Sequence, residues 1–102
     1  MAKASLSTHI LDTTTGRPAL GVRVDLESDG GVVGSATTDA DGRIRELGRD
    51  LEPGVYRIVF KTREHAPDAF FTQIALEVHL AEGHTHVPLL LSRFGVTSYR
   101  GS

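Results

Sequence analysis

At 102 residues the chain has room for one domain around one core, and 39% apolar with 24% charged residues describes a globular protein rather than a disordered one. A formal charge of −2, with eleven basic residues scattered along the chain, leaves no stripe to follow a phosphate backbone, and no apolar run reaches spanning length; neither nucleic acid nor membrane is expected as a partner. Cysteine is absent, which removes disulfides, thiolate nucleophiles and cysteine-based metal sites, and residues 1–5 lack an apolar signal segment, so a cytoplasmic protein made of a single domain, residues 1–102, is expected.

Period-two alternation dominates the chain and predicts strands. Leu6, Thr8 and Ile10 alternate with Ser7, His9 and Leu11, and Val22, Val24 and Leu26 alternate with Arg23 and Asp25. Asp29-Gly30-Gly31 supplies the positive φ angles of a tight hairpin leading into a strand over 32–37. Asp39-Ala40-Asp41-Gly42 is a second turn and Glu52-Pro53-Gly54 a third, opening a strand over 55–61. Residues 62–69 break the pattern, with room for one short helical turn closed by Pro67. Alternation resumes over 70–80, with Phe70, Ile74, Leu76, Val78 and Leu80 expected mostly inward. After Glu82-Gly83 the run 84–91 is expected to pair back against it. The sum is an all-β sandwich of seven or eight strands with at most one short helix.

Chemistry-bearing side chains are few. If Leu6, Thr8 and Ile10 face the core, His9 points out of it, either simply solvated or functional. His84 and His86 share a face by the same parity; His-x-His on a strand is half of a zinc site, and His9 would make a third ligand. The Asp39-x-Asp41-Gly42 segment is a turn and not a calcium loop, because Ile44 and Asp50 stand where that loop needs glycine and a carboxylate. Arg43 follows the turn and offers a planar fork to a flat anion, with Arg45 a same-face competitor that spacing does not exclude. Ser102 has no nucleophile-elbow sequence around it, so it is expected to hydrogen-bond rather than to form an acyl-enzyme. Tyr99 is read equally as an aromatic anchor or a pocket wall.

Residues 84–92, His-Thr-His-Val-Pro-Leu-Leu-Leu-Ser, the ending Tyr99-Arg100-Gly101-Ser102 and the opening Ser7-Thr8-His9-Ile10-Leu11-Asp12 together resemble the 5-hydroxyisourate hydrolases, the purine-degrading branch of the transthyretin-like family. The segments Asp12–Ala19, 38–43 and 53–56 are similar to prealbumin-like sandwiches in general and support only the fold. Thr85, Arg93 and Val96 depart from the usual pattern, where an aromatic, a proline or polar residue, and a tyrosine stand. The resemblance implies a transthyretin-like sandwich that opens the six-membered ring of 5-hydroxyisourate at its cyclic amide to give 2-oxo-4-hydroxy-4-carboxy-5-ureidoimidazoline, with no metal and no cofactor. It implies His9, Arg43, His86 and Ser102 as catalytic residues and His9, Arg43 and Tyr99 as substrate-binding ones, and it selects Arg43 over Arg45. Of the two imidazoles, His9 is the expected base and His86 its partner. The resemblance also implies a homotetramer with its sites between dimers. The alternatives are a transthyretin-type carrier of a small flat ligand and a noncatalytic interaction module.

Overall fold

The alternating runs form nine strands in two sheets in the computed structural model, which describes residues 3–101. They are β1 (Ala4–Asp12), β2 (Arg17–Pro18), β3 (Arg23–Ser28), β4 (Gly31–Thr37), β5 (Arg43–Leu51), β6 (Gly54–Lys61), β7 (Ile74–Leu80), β8 (Gly83–Leu91) and β9 (Val96–Ser98). β2 and β9, of two and three residues, are too short to carry an alternation signal. One sheet runs β4-β3-β6-β7, antiparallel throughout. In the other, β1 lies between β8, which is parallel to it, and β5 and β2, which pair antiparallel along successive stretches of its opposite edge; β9 closes the far side of β8.

The inward positions are those the alternation marks. Leu6, Ile10, Val24, Leu26, Ile58, Phe60, Leu80 and Leu89 are fully buried between the sheets. Thr8 shares that face, and its hydroxyl donates to the Val87 carbonyl at 2.6 Å, so its polar atom is satisfied inside the core. Asp29 and Gly30 make the hairpin between β3 and β4.

Two expectations are corrected. β8 does not pair with β7. The chain leaves β7 at Leu80, crosses the sandwich within two residues, and Gly83 N–H donates to the Lys3 carbonyl at 2.9 Å, which starts β8 alongside β1. A strand with one apolar face satisfies the core from either sheet, so periodicity does not say which sheet it joins. Phe70 is not inward: it is 71% exposed and precedes β7, its ring edge-on to Phe71. Residues 62–69 hold the single helical turn expected there: the Ala66 N–H donates to the Thr62 carbonyl at 2.9 Å just before Pro67, and the turn does not extend into a helix.

Candidate active site

The outer face of the β5-β1-β8 sheet carries the chemistry. Ser5, Ser7 and His9 alternate with the buried residues of β1 and therefore project outward. The parallel register sets Ser5 beside His84 and Ser7 beside His86, and the antiparallel register on the other edge sets His9 opposite Arg43. Registered neighbours point to the same side of a sheet, so three strands distant in sequence contribute one row of polar side chains.

Arg43 is placed by the turn before it. The Asp39 carboxylate accepts the Arg43 and Asp41 amides at 2.9 Å each, which holds its carboxyl below the usual carboxylate range, the Arg43 amide being the main cause. Gly42 closes the turn at φ 73°, and its carbonyl accepts the Ile10 amide at 2.8 Å. A β-carbon there would lie 2.4 Å from the Ile10 carbonyl oxygen, so only glycine lets the turn approach β1 and bring Arg43 beside His9.

His86 is half-buried. Its Nδ1 is hydrogen-bonded to Ser7 Oγ at 2.7 Å, and among the described residues Nε2 has no partner. Burial first, then the Arg43 guanidinium and the neighbouring His9 and His84, push its pKa below the usual 6.5 and favour the neutral ring. Ser7, Thr8, Arg43, Ile44, Arg45 and His86 line a solvent-open depression of about 250 Å³. It sets an imidazole whose pKa is lowered, with Nε2 unpartnered among the described residues, beside guanidinium groups. Such a set can take a proton from water and stabilise an oxyanion.

His9, Arg43 and His86 are thus brought together. Arg45 also lines the depression, so position alone does not discard it. Tyr99 does not join them: it is 56% exposed and lines a separate depression with Val78, Leu80, Thr85 and Val87 at the open edge of the sandwich. Ser102 lies outside the described residues, whereas Gly101 donates its amide to the His86 carbonyl at 2.7 Å. Among the described residues no group of three His, Cys, Asp or Glu side chains gathers as a metal centre requires. His84 instead has Ser5 Oγ 2.7 Å from its Nδ1 and Ser7 Oγ 2.8 Å from its Nε2. Sequence reasoning missed the part Ser7 plays in holding His86; its parity with His9 was the available signal.

This two-sheet sandwich with polar chemistry on one outer face is the architecture of the transthyretin-like proteins. The chain belongs to the HIUase/Transthyretin family, whose profile matches residues 6–101. It is 46% identical over 109 aligned positions to the 5-hydroxyisourate hydrolase of Salmonella dublin, covering 95% of this chain and 80% of that protein. The Klebsiella pneumoniae 5-hydroxyisourate hydrolase structure superposes with a TM-score of 0.91 at 36% identity, covering 97% of this chain and 99% of that one. Sea bream transthyretin, solved in complex with thyroxine, superposes at 0.85 with 28% identity, covering 94% and 93%.

Proposed function

We infer that the chain is a 5-hydroxyisourate hydrolase, opening the cyclic amide of its substrate in urate degradation. The observation that carries this reading is the gathering of His9, Arg43 and His86 on one sheet face, in a chain 46% identical to an enzyme of that activity.

His86 Nε2 accepts a proton from water as the water oxygen attacks the amide carbonyl, because burial and Arg43 keep this ring neutral and its Nε2 is free. This reading makes His86 the base in place of His9, the base expected with the resemblance. Arg43 faces the carbonyl oxygen and stabilises the charge that develops there. His9 lies in register with Arg43 and returns a proton to the ring nitrogen as the C–N bond breaks. On the single chain this face is open, with Arg43 and Arg45 exposed. A second copy facing it would exclude water, which favours a homotetramer with sites between dimers.

Purified protein added to freshly generated 5-hydroxyisourate should accelerate the loss of its ultraviolet absorbance far above the spontaneous rate. No acceleration, together with tight binding of thyroxine, would replace this reading by the carrier function that the transthyretin likeness suggests.

A further inference from the structure

The mechanism above leaves His84 unused, yet it is the ring most completely bracketed by hydroxyls. From the surface inward the order is Ser5 Oγ, His84 Nδ1, His84 Nε2, Ser7 Oγ and His86 Nδ1, at successive contacts of 2.7, 2.8 and 2.7 Å. Both ring nitrogens of His84 are therefore engaged, and among the described residues Ser7 alone links the two imidazoles. Ser7 is 8% exposed, while His84 is exposed, so the line runs from the half-buried base to solvent.

A serine hydroxyl has one proton to give. With its two contacts both on imidazole nitrogens, Ser7 donates to one ring and accepts from the other. If His86 carries its proton on Nδ1 it donates to Ser7, Ser7 donates to His84 Nε2, and His84 donates from Nδ1 to Ser5; Nε2 of His86 is then bare. Reversing every donor moves one proton outward and leaves both rings protonated on Nε2. In either state the two neutral rings carry the proton on the same nitrogen.

Ring opening supplies a proton that has to leave. Of the two water protons, His86 takes one as the oxygen bonds to the carbonyl carbon, while His9 gives a proton to the leaving nitrogen as the C–N bond breaks. The other resides on the new carboxylic acid, which ionises at neutral pH because such a group has a pKa of about 4. That proton replaces the one His9 gave, the released ureido nitrogen takes no second, and the proton on His86 is the one each turnover must discharge.

We propose that His84, acting through Ser7, is a positioning and proton-relay residue for His86: it ties the tautomer of His86 to its own, so that His86 Nε2 is bare when His84 donates to Ser5, and it carries the proton of each turnover to the surface at Ser5. The relay rests on the hydrolase reading, whereas the tautomeric link does not. The charged groups facing His86 are Arg43 and Arg45 from β5, His9 from β1 and His84 from β8. Those around the outer end at His84 are Lys3, Glu46, Arg49 and Asp50.

His84→Gln keeps a polar group beside Ser7 but does not relay a proton. In dilute buffer of poor shuttling power its kcat should fall about tenfold, less than the hundred-fold or greater loss of a group acting in the transition state. Its kcat/KM should fall by a smaller factor, set by the share of His86 rings that shift tautomer, because proton exit follows ring opening, and concentrated imidazole buffer should restore kcat to that level. Unchanged, buffer-independent kcat overturns the relay, and so does an equal, unrescued loss in kcat and kcat/KM, which would mark a structural role. Long-range proton–nitrogen spectra of the substrate-free protein test the link independently of activity. The two rings should share one tautomer in the wild type, and His84→Gln should change the tautomer balance and titration of His86. Differing tautomers, or an unaffected His86, overturn the proposal. An inactive wild type with linked rings would instead overturn the hydrolase reading alone.

Discussion

Gly101 is pressed against His86. Its amide donates to the His86 carbonyl at 2.7 Å, and a β-carbon on Gly101 would stand 3.1 Å from both that oxygen and Cδ2 of the imidazole. Contacts that short force one partner to move by a few tenths of an ångström. The carbonyl is fixed by the backbone, so the ring yields. Gly101→Ala should lower kcat about tenfold, since displacements approaching 1 Å at a reacting group cost up to about a hundredfold. Thermal denaturation should change little, as Gly101 contributes no apolar core. Steady-state kinetics beside circular dichroism checks both, and a wild-type rate would mean that this contact does not set the ring.

The two arginines of β5 should separate cleanly. Arg43 stands opposite His9 in the strand register, while Arg45 shares only the depression. Arg43→Ala should reduce kcat/KM about a hundred- to a thousandfold, the cost of removing one preorganised oxyanion donor. Arg45→Ala should cost less than about a tenth of that loss. Comparable losses would show that spacing left this choice open because both groups serve.

Acid should switch the enzyme off below the range of an ordinary histidine. A base works when unprotonated, and burial together with Arg43 lowers the His86 pKa below 6.5. The acid limb of the kcat/KM profile should therefore appear only as pH drops through an apparent pKa below that value. Replacing Arg43 by Gln removes one lowering influence, so the acid limb of the residual activity should move upward. Stability follows the same sign: near pH 6.5 the unfolded chain binds the His86 proton more readily than the folded one, so this group makes stability rise with pH there. A profile unmoved by Arg43→Gln would remove His86 as the titrating base.

The outer face of the second sheet holds a carboxylate whose role is stability. Asp25 is 4% exposed, accepts the Ser35 hydroxyl at 2.6 Å, and lies 3.2 Å from Arg23 and 3.3 Å from Lys61. The Ser35 hydrogen bond, followed by those from Arg23 and Lys61, lowers its pKa against the opposing effect of burial. A lowered carboxyl pKa stabilises the fold above the unfolded value of 3.8, and this contribution disappears as pH falls below it toward the folded value. Both cations are about half exposed, so solvent screens them, and Asp25→Asn should cost only about 1 kcal/mol near neutrality. Urea titrations at neutral pH and near pH 3 should show that difference shrinking on acidification.

Local pattern revealed what is local. The parity of Leu6, Thr8 and Ile10 put His9 outside, the parity of His84 and His86 put them on one face, and Asp39 to Gly42 marked the turn that presents Arg43. Register is not local. Nothing in the alternation of 84–91 says that this strand crosses to β1, lies parallel to it and sets Ser7 beside His86. The hydroxyl-linked line of histidines was therefore invisible, and the shared face of His84 and His86 offered only a zinc half-site as an alternative to the metal-free reading. Phe70 misled for a related reason: its position in the period is right, but the strand starts only at Ile74. The closeness of Gly101 to His86 joins residues brought together by β9 folding back on β8, a contact with no periodic signature.

Assembly is the remaining expectation that the single chain motivates without displaying. β7 and β9 are the outer strands of their sheets, and the depression they share with Leu76, Val78, Val87 and Tyr99 marks a common open edge. Unpaired strand edges are templates for a second chain. Leu20 and Phe94, on loops of the β1-β8 sheet, are 61% and 74% exposed, far more apolar surface than their positions need in a monomer. Light scattering after size exclusion should report four chains. Leu20→Asp with Phe94→Asp places charge on both exposed apolar side chains, and should yield dimers that retain the sandwich by circular dichroism but lose most turnover, because the face bearing Arg43 and His86 is then left in open water. Fully active dimers would show that one outer face suffices for catalysis, and a monomeric wild type of full activity would remove the shared site altogether.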